Sequence, residues 1–162
     1  MNKEEWYTPS WIVWRVKHVL GSIDLDPASC PGAQFTVRAK EYFNKEQDGL
    51  SRPWHGNVFL NPPYTRGIID RFINKLSRER YSGRVKKAIV ITNNSTDTGW
   101  GQSILMEADA VCFLNKRVHF VSEDGQSKGT QPRGQMVSAF GVHVPTFIQA
   151  FRLSGTTMSR QV

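Results

Sequence analysis

Gly56-Asn57-Val58-Phe59-Leu60-Asn61-Pro62-Pro63-Tyr64 is the stretch on which the reading of the chain turns. Val58, Phe59 and Leu60 form a short apolar run with glycine before it and two prolines soon after. A run bounded in this way is a buried strand that ends in a rigid turn. Proline fixes φ and carries no N–H, so Pro62 and Pro63 cannot continue a sheet. The Asn61 and Pro62 carbonyls are then free to face a cavity at the C-terminal end of the strand, where open α/β sheets bind ligands. Two such acceptors can hold both hydrogens of a planar amino group, and Tyr64 offers a flat face to the heterocycle bearing it. Taken alone, Asn61 to Tyr64 equally describe a proline-rich turn with a tyrosine at the core edge.

The 162 residues suit one domain with one core. The expected domain spans residues 1–153, with 154–162 a flexible tail. No apolar run is long enough to span a membrane and no signal-peptide pattern opens the chain, so a cytoplasmic setting in a bacterium or bacterial host is expected. Cys30 and Cys112 are too far apart in sequence to suggest a disulfide framework. The histidines, His18, His55, His119 and His143, lack ligand spacing, and no metal site is expected. A net charge of +7 favours a polyanionic partner.

Upstream, Thr8 reads as an N-cap and Pro9 as the first residue of a helix reaching about Leu20, with Trp11 and Trp14 on its apolar face. Ile23 to Asp26 reads as a strand running into a loop of small residues, Pro27 to Gly32. Val37 to Phe43 is ambiguous, and Asn44 to Leu50 is turn-like. Downstream, Ile68, Ile69, Phe72, Ile73 and Leu76 recur at helical spacing. Ala88 to Thr92 is a continuous apolar strand, of the kind covered on both faces. A polar loop follows, with Thr96 or Asp97 capping the next helix, and then a strand at Ala110 to Leu114. Lys116 to Val121 and Met136 to Val144 read as an antiparallel pair, and a short helix spans about Phe147 to Leu153. This order gives an α/β fold with a mixed sheet.

Thr8-Pro9, Asp26-Pro27-Ala28 with Gly32, Asp48-Gly49-Leu50 and Asn61-Pro62-Pro63-Tyr64 occur in that order. Together with Trp54 to Phe59, Thr96-Asp97-Thr98 with Trp100, and Arg117 to Phe120, they resemble the S-adenosylmethionine-dependent DNA N6-adenine methyltransferases, closest to the small phage-type (Dam-like) family. The similarity covers roughly residues 6 to 141, and the ordered set is more specific than any single motif. It departs from many methyltransferases in having one glycine, Gly32, after Asp26, and the usual acid on the cofactor ribose is not obvious, Glu41 being a candidate. The resemblance implies a Rossmann-like methyltransferase fold, a three-layer α/β/α arrangement with a mixed sheet and a C-terminal antiparallel hairpin. It implies an enzyme that methylates the N6 amine of an adenine flipped out of double-stranded DNA. Asn61, Pro62 and Tyr64 would be catalytic. Tyr7, Thr8, Pro9, Asp26, Pro27, Ala28, Ser29, Asp48, Leu50 and Asn61 would bind S-adenosylmethionine. Arg66, Lys116 and Arg117 would contact DNA phosphates, and a homodimer on DNA would compensate for the absent recognition domain. The rival expectations are a methyltransferase acting on RNA or protein glutamine, and a catalytically silent nucleic-acid-binding protein.

Overall fold

The computed structural model describes residues 7–122 and 132–160. Trp6, most of the polar loop after Val121 and the last two residues lie outside that range. The chain runs α1 (Ser10–Leu20), β1 (Leu25–Asp26), α2 (Pro31–Val37), β2 (Glu41–Tyr42), β3 (Gly56–Leu60), α3 (Ile68–Tyr81), β4 (Val85–Asn93), α4 (Gly99–Glu107), β5 (Ala110–Leu114), β6 (Gln135–Phe140), α5 (Val144–Phe151) and β7 (Gly155–Ser159). The strands form one mixed sheet in the order β2-β1-β3-β4-β6-β5-β7. β2, β1, β3 and β4 are parallel, whereas β6 is antiparallel to both β4 and β5, and β7 is antiparallel to β5. No described helix is long and apolar enough to cross a membrane.

The apolar runs sit in this sheet because both of its faces are covered. Side chains alternate across a strand. Phe59, Ile89 and Ile91 pack with Ile12, Val16 and Leu20 of α1 and Phe147 and Phe151 of α5. Val58, Leu60, Ala88 and Val90 pack on the other face with Ile69, Phe72, Ile73 and Leu76 of α3 and Ile104 of α4. The result is the expected Rossmann-like α/β/α arrangement.

Several local expectations change. α1 buries Ile12, Val13, Val16, Val19 and Leu20, while Trp14 is 64% exposed and Trp11 lies at the margin. Aliphatic residues on the neighbouring face of the helix take the core, and Trp14 stacks on His18 instead. Thr8 does not cap α1: Pro9 occupies that position, with no side-chain cap. Thr98, not Thr96 or Asp97, caps α4, its hydroxyl accepting from the Gly101 N–H at 3.1 Å. The loop expected after Asp26 contains α2, opened by Pro31. The antiparallel C-terminal part is present, but β6 pairs with β4 and β5 rather than with residues 116–121, which make a single bridge, Tyr7 to Val121. The flexible tail expected over 154–162 is a correction: Gly155 to Ser159 form β7 against β5.

Candidate active site at the C-terminal rim of the sheet

The connection from β1 to β2 passes over one face of the sheet through α2, and that from β3 to β4 passes over the other through α3. The crevice between the C-terminal ends of β1 and β3 is therefore a topological switch point. The ladder between these strands is registered only at Leu25 and Val58. Two residues further the register would place Pro27 opposite Leu60, and Pro27 has no N–H to offer. Asp26 thus stands on one wall of the crevice and Asn61 on the other.

Asp26 is 3% exposed. Its Oδ2 accepts from Gln34 Nε2 at 3.0 Å, and the Ser29 hydroxyl and Ala28 N–H also serve the carboxylate. Its Oδ1 is buried with no partner among the described residues. Burial pushes the Asp26 carboxyl up to about 6, against the pull of those hydrogen bonds. Gln34 is fixed in turn, its Oε1 accepting from the Ala39 N–H at 2.8 Å and its Nε2 donating to Ser29 Oγ at 2.8 Å. The Phe43 N–H donates to the Asp26 carbonyl and the Ser29 N–H to the Phe43 carbonyl, which holds the loop to the end of β2.

The Asp48-Gly49-Leu50 turn is pressed against this loop. A Cβ on Gly49 would overlap the Pro27 carbonyl oxygen, so only glycine allows the approach. The turn is anchored from beneath by the fully buried Trp54, whose Nε1–H donates to the Gly49 carbonyl at 2.7 Å and whose ring stacks on Phe72 of α3. Asp48 adopts φ 49° and accepts from the Leu50 N–H at 3.2 Å, with its carboxylate at the surface. Glu41 is engaged with His55, Oε2 to Nε2 at 2.7 Å.

On the opposite wall, Asn61 Nδ2 donates to Thr8 Oγ1 at 3.2 Å, so the Thr8 hydroxyl orients the amide instead of capping α1. Asn61 Oδ1 takes no hydrogen bond from a described residue. Tyr7 is buried, paired through its backbone with Val121, and its phenol covers Gly32 at the start of α2. Pro62 is buried and Pro63 exposed. Tyr64 is 41% exposed, its hydroxyl bonded to the Asn93 backbone at the end of β4. Desolvation raises that phenol above its usual range.

The structure brings Tyr7, Thr8, Pro9, Asp26 to Ser29, Asp48, Leu50 and Asn61 to the one rim. Arg66 is exposed in the turn before α3, and Lys116 and Arg117 are exposed just beyond β5 on the same rim. Sequence reasoning missed Gln34, the holder of Asp26, because a glutamine in an unrecognised helix carries no local signal. It also missed Gln135, whose Nε2 donates to Asn93 Oδ1 at 2.6 Å beside the Tyr64 anchor.

The family model described as DNA N-6-adenine-methyltransferase (Dam) matches residues 1–160 of the chain. No curated protein matches it at a significant level.

Proposed function

The chain belongs to the Dam family of DNA N-6-adenine-methyltransferases, and from that premise we propose that it moves a methyl group from S-adenosylmethionine to the N6 amine of an adenine turned out of duplex DNA. The observation that carries this reading is the pair of acceptors at the ends of β1 and β3, Asp26 Oδ1 and Asn61 Oδ1, neither of which takes a hydrogen bond from a described residue.

The residues present fit the donor. A buried carboxylate oxygen without a partner suits an ammonium group, and the close Gly49–Pro27 packing leaves a floor of backbone and small side chains. Asp26 to Ser29 would hold the methionine portion with Tyr7, Thr8 and Pro9, while Asp48 and Leu50 would receive the adenine portion. S-adenosylmethionine, when bound, supplies an electrophilic methyl already activated by its sulfonium. What remains for the protein is positioning.

Asn61 Oδ1 and the Pro62 carbonyl accept the two N6–H groups of the target adenine. Those hydrogen bonds draw the nitrogen lone pair out of conjugation with the ring and aim it across the crevice. Thr8 keeps the correct end of the Asn61 amide forward. Tyr64, tethered by its hydroxyl, presents its ring at the mouth for stacking on the extruded base. Arg66, Lys116 and Arg117 hold phosphates on either side.

Incubation with labelled S-adenosylmethionine and DNA, followed by nucleoside analysis, tests the proposal. Label in N6-methyladenine is the expected result. Label confined to RNA or to protein glutamine would redirect the acceptor, and no transfer beside intact binding of DNA would leave a silent binder.

A further inference from the structure

A hollow of about 630 Å³ opens on the same rim, one strand beyond Tyr64, where β4 and β5 end and β6 begins. It is lined by Asn94, Ser95 and Asp97 after β4, by Lys116 and Arg117 after β5, and by Arg133 before β6, the strand between them. That volume falls within the range of small-ligand sites. We propose that it seats the nucleotide adjoining the target adenine in the same strand, with the phosphate of that nucleotide held by Arg133 together with Arg117 and Lys116. The inference rests on the function proposed above and names a contact which that reading lacks.

Three features support it. The three cations form no ion pair with a described residue. The wall after β4 is fixed in advance. The Asn94 N–H donates to the Gly134 carbonyl at 3.0 Å, and the Asn94 amide occupies the place where a Cβ on Gly134 would stand. The Thr98 hydroxyl donates to the Ser95 carbonyl at 2.7 Å, and Gly101 lets that carbonyl approach α4 closely. Finally, the wall continues directly from Asn93, whose backbone anchors the Tyr64 hydroxyl. A strand leaving the Tyr64 ring therefore meets this hollow next. Asp97, the one carboxylate among the described lining residues, repels a phosphate from its own side.

The test walks a single uncharged methylphosphonate linkage along the target strand of a duplex substrate. The full-length chain and its Arg133→Gln variant are compared on every duplex. For the parent, one position beside the target adenine lowers both kcat/KM and affinity by roughly tenfold, the scale of one charge-assisted contact. Arg133→Gln shows a similar loss on unmodified DNA and, since Lys116 and Arg117 remain on the phosphate, a smaller further loss than the parent when that linkage is neutralised. Affinity for S-adenosylmethionine and the melting temperature stay unchanged, since Arg133 is exposed. If the variant responds to every neutral linkage as the parent does, or binds unmodified DNA equally well, the proposal is overturned. Fluorescence anisotropy on the same duplexes reads the contact without turnover. A parent that shows the linkage effect in binding yet methylates no DNA therefore supports the hollow while refuting the proposed reaction.

Discussion

Asn61 illustrates how one hydrogen bond sets a chemical direction. Its nitrogen donates one hydrogen to Thr8, which leaves its oxygen to the crevice. Asn61→Ala removes that acceptor from a half-buried rim position. It is expected to lower methyl transfer by about a thousandfold, at the upper end for loss of a preorganised polar group. Circular-dichroism melting should show little change, which separates a chemical role from a structural one. Thr8→Val should cost less, since the amide persists but loses its orienter.

Asp26 makes a prediction with a definite sign. Its carboxyl is raised in the folded state from 3.8 to about 6. The native protein therefore holds a proton that the unfolded chain has released. The associated stability is complete below about pH 4 and is lost as pH rises through about 6. About two pKa units correspond to roughly 3 kcal/mol. Asp24 and Glu79, both lowered, act below that window and with the opposite sign. Denaturant titrations of the ligand-free protein between pH 4 and 7 should show stability falling with pH, and Asp26→Asn should flatten the slope while abolishing donor binding. An unchanged slope would place the cause elsewhere.

At the scale of elements, the loops that build the crevice depend on supports out of sight of it. Trp54 joins α3 to the Asp48-Gly49-Leu50 turn, and Glu79 of α3 joins the same helix to the chain entering β3. Glu79 is buried. Burial alone would raise its carboxyl, but Arg84, Lys75 at 3.0 Å and the Trp54 N–H together hold it below the usual range. Glu79→Gln should cost about 3 kcal/mol by uncovering that cluster, measurable as a lower denaturation midpoint. Gly49→Ala should cost about 1–3 kcal/mol through overpacking against the Pro27 carbonyl, and should weaken donor binding in calorimetry.

Elements whose signals are local were legible in the sequence. β3 and β4 are continuous apolar runs because both of their faces are buried, and two prolines mark where β3 must stop. α3 shows its helical period plainly. What escaped depends on partners distant in sequence. Gly155 to Ser159 have little apolar pattern and become a strand because β5 is there to pair with. In α2, Gly32 weakens the helical signal, yet the absence of a side chain is what admits the Tyr7 phenol. That neither Trp11 nor Trp14 of α1 is buried could not be read from spacing alone, since aliphatic residues offered a competing stripe. For the site, the residue types at the rim were readable, whereas the hydrogen bonds that aim them were not.

For the whole molecule, the charge of +7 gives association with DNA a strong electrostatic component. Arg66, Lys116, Arg117 and Arg133 share the rim that carries Asn61. With one phosphate under Arg66 and one shared by Lys116, Arg117 and Arg133, log affinity should fall against log salt with a slope of about −2. Anisotropy titrations over a range of salt concentrations would measure it, and a flat dependence would refute a phosphate-tracking rim.

The placement of β6 between β4 and β5 also bears on how the molecule comes to be made. β5 precedes β6 in the chain, yet it reaches the sheet only through it. Until β6 arrives, the apolar edge of β4 stands open and β5 has no seat. The late join pairs residues distant in sequence, and pairings of that kind form slowly and expose strand edges meanwhile. Chains interrupted after Leu114 should therefore precipitate, and expression at lower temperature should favour recovery of the finished sheet.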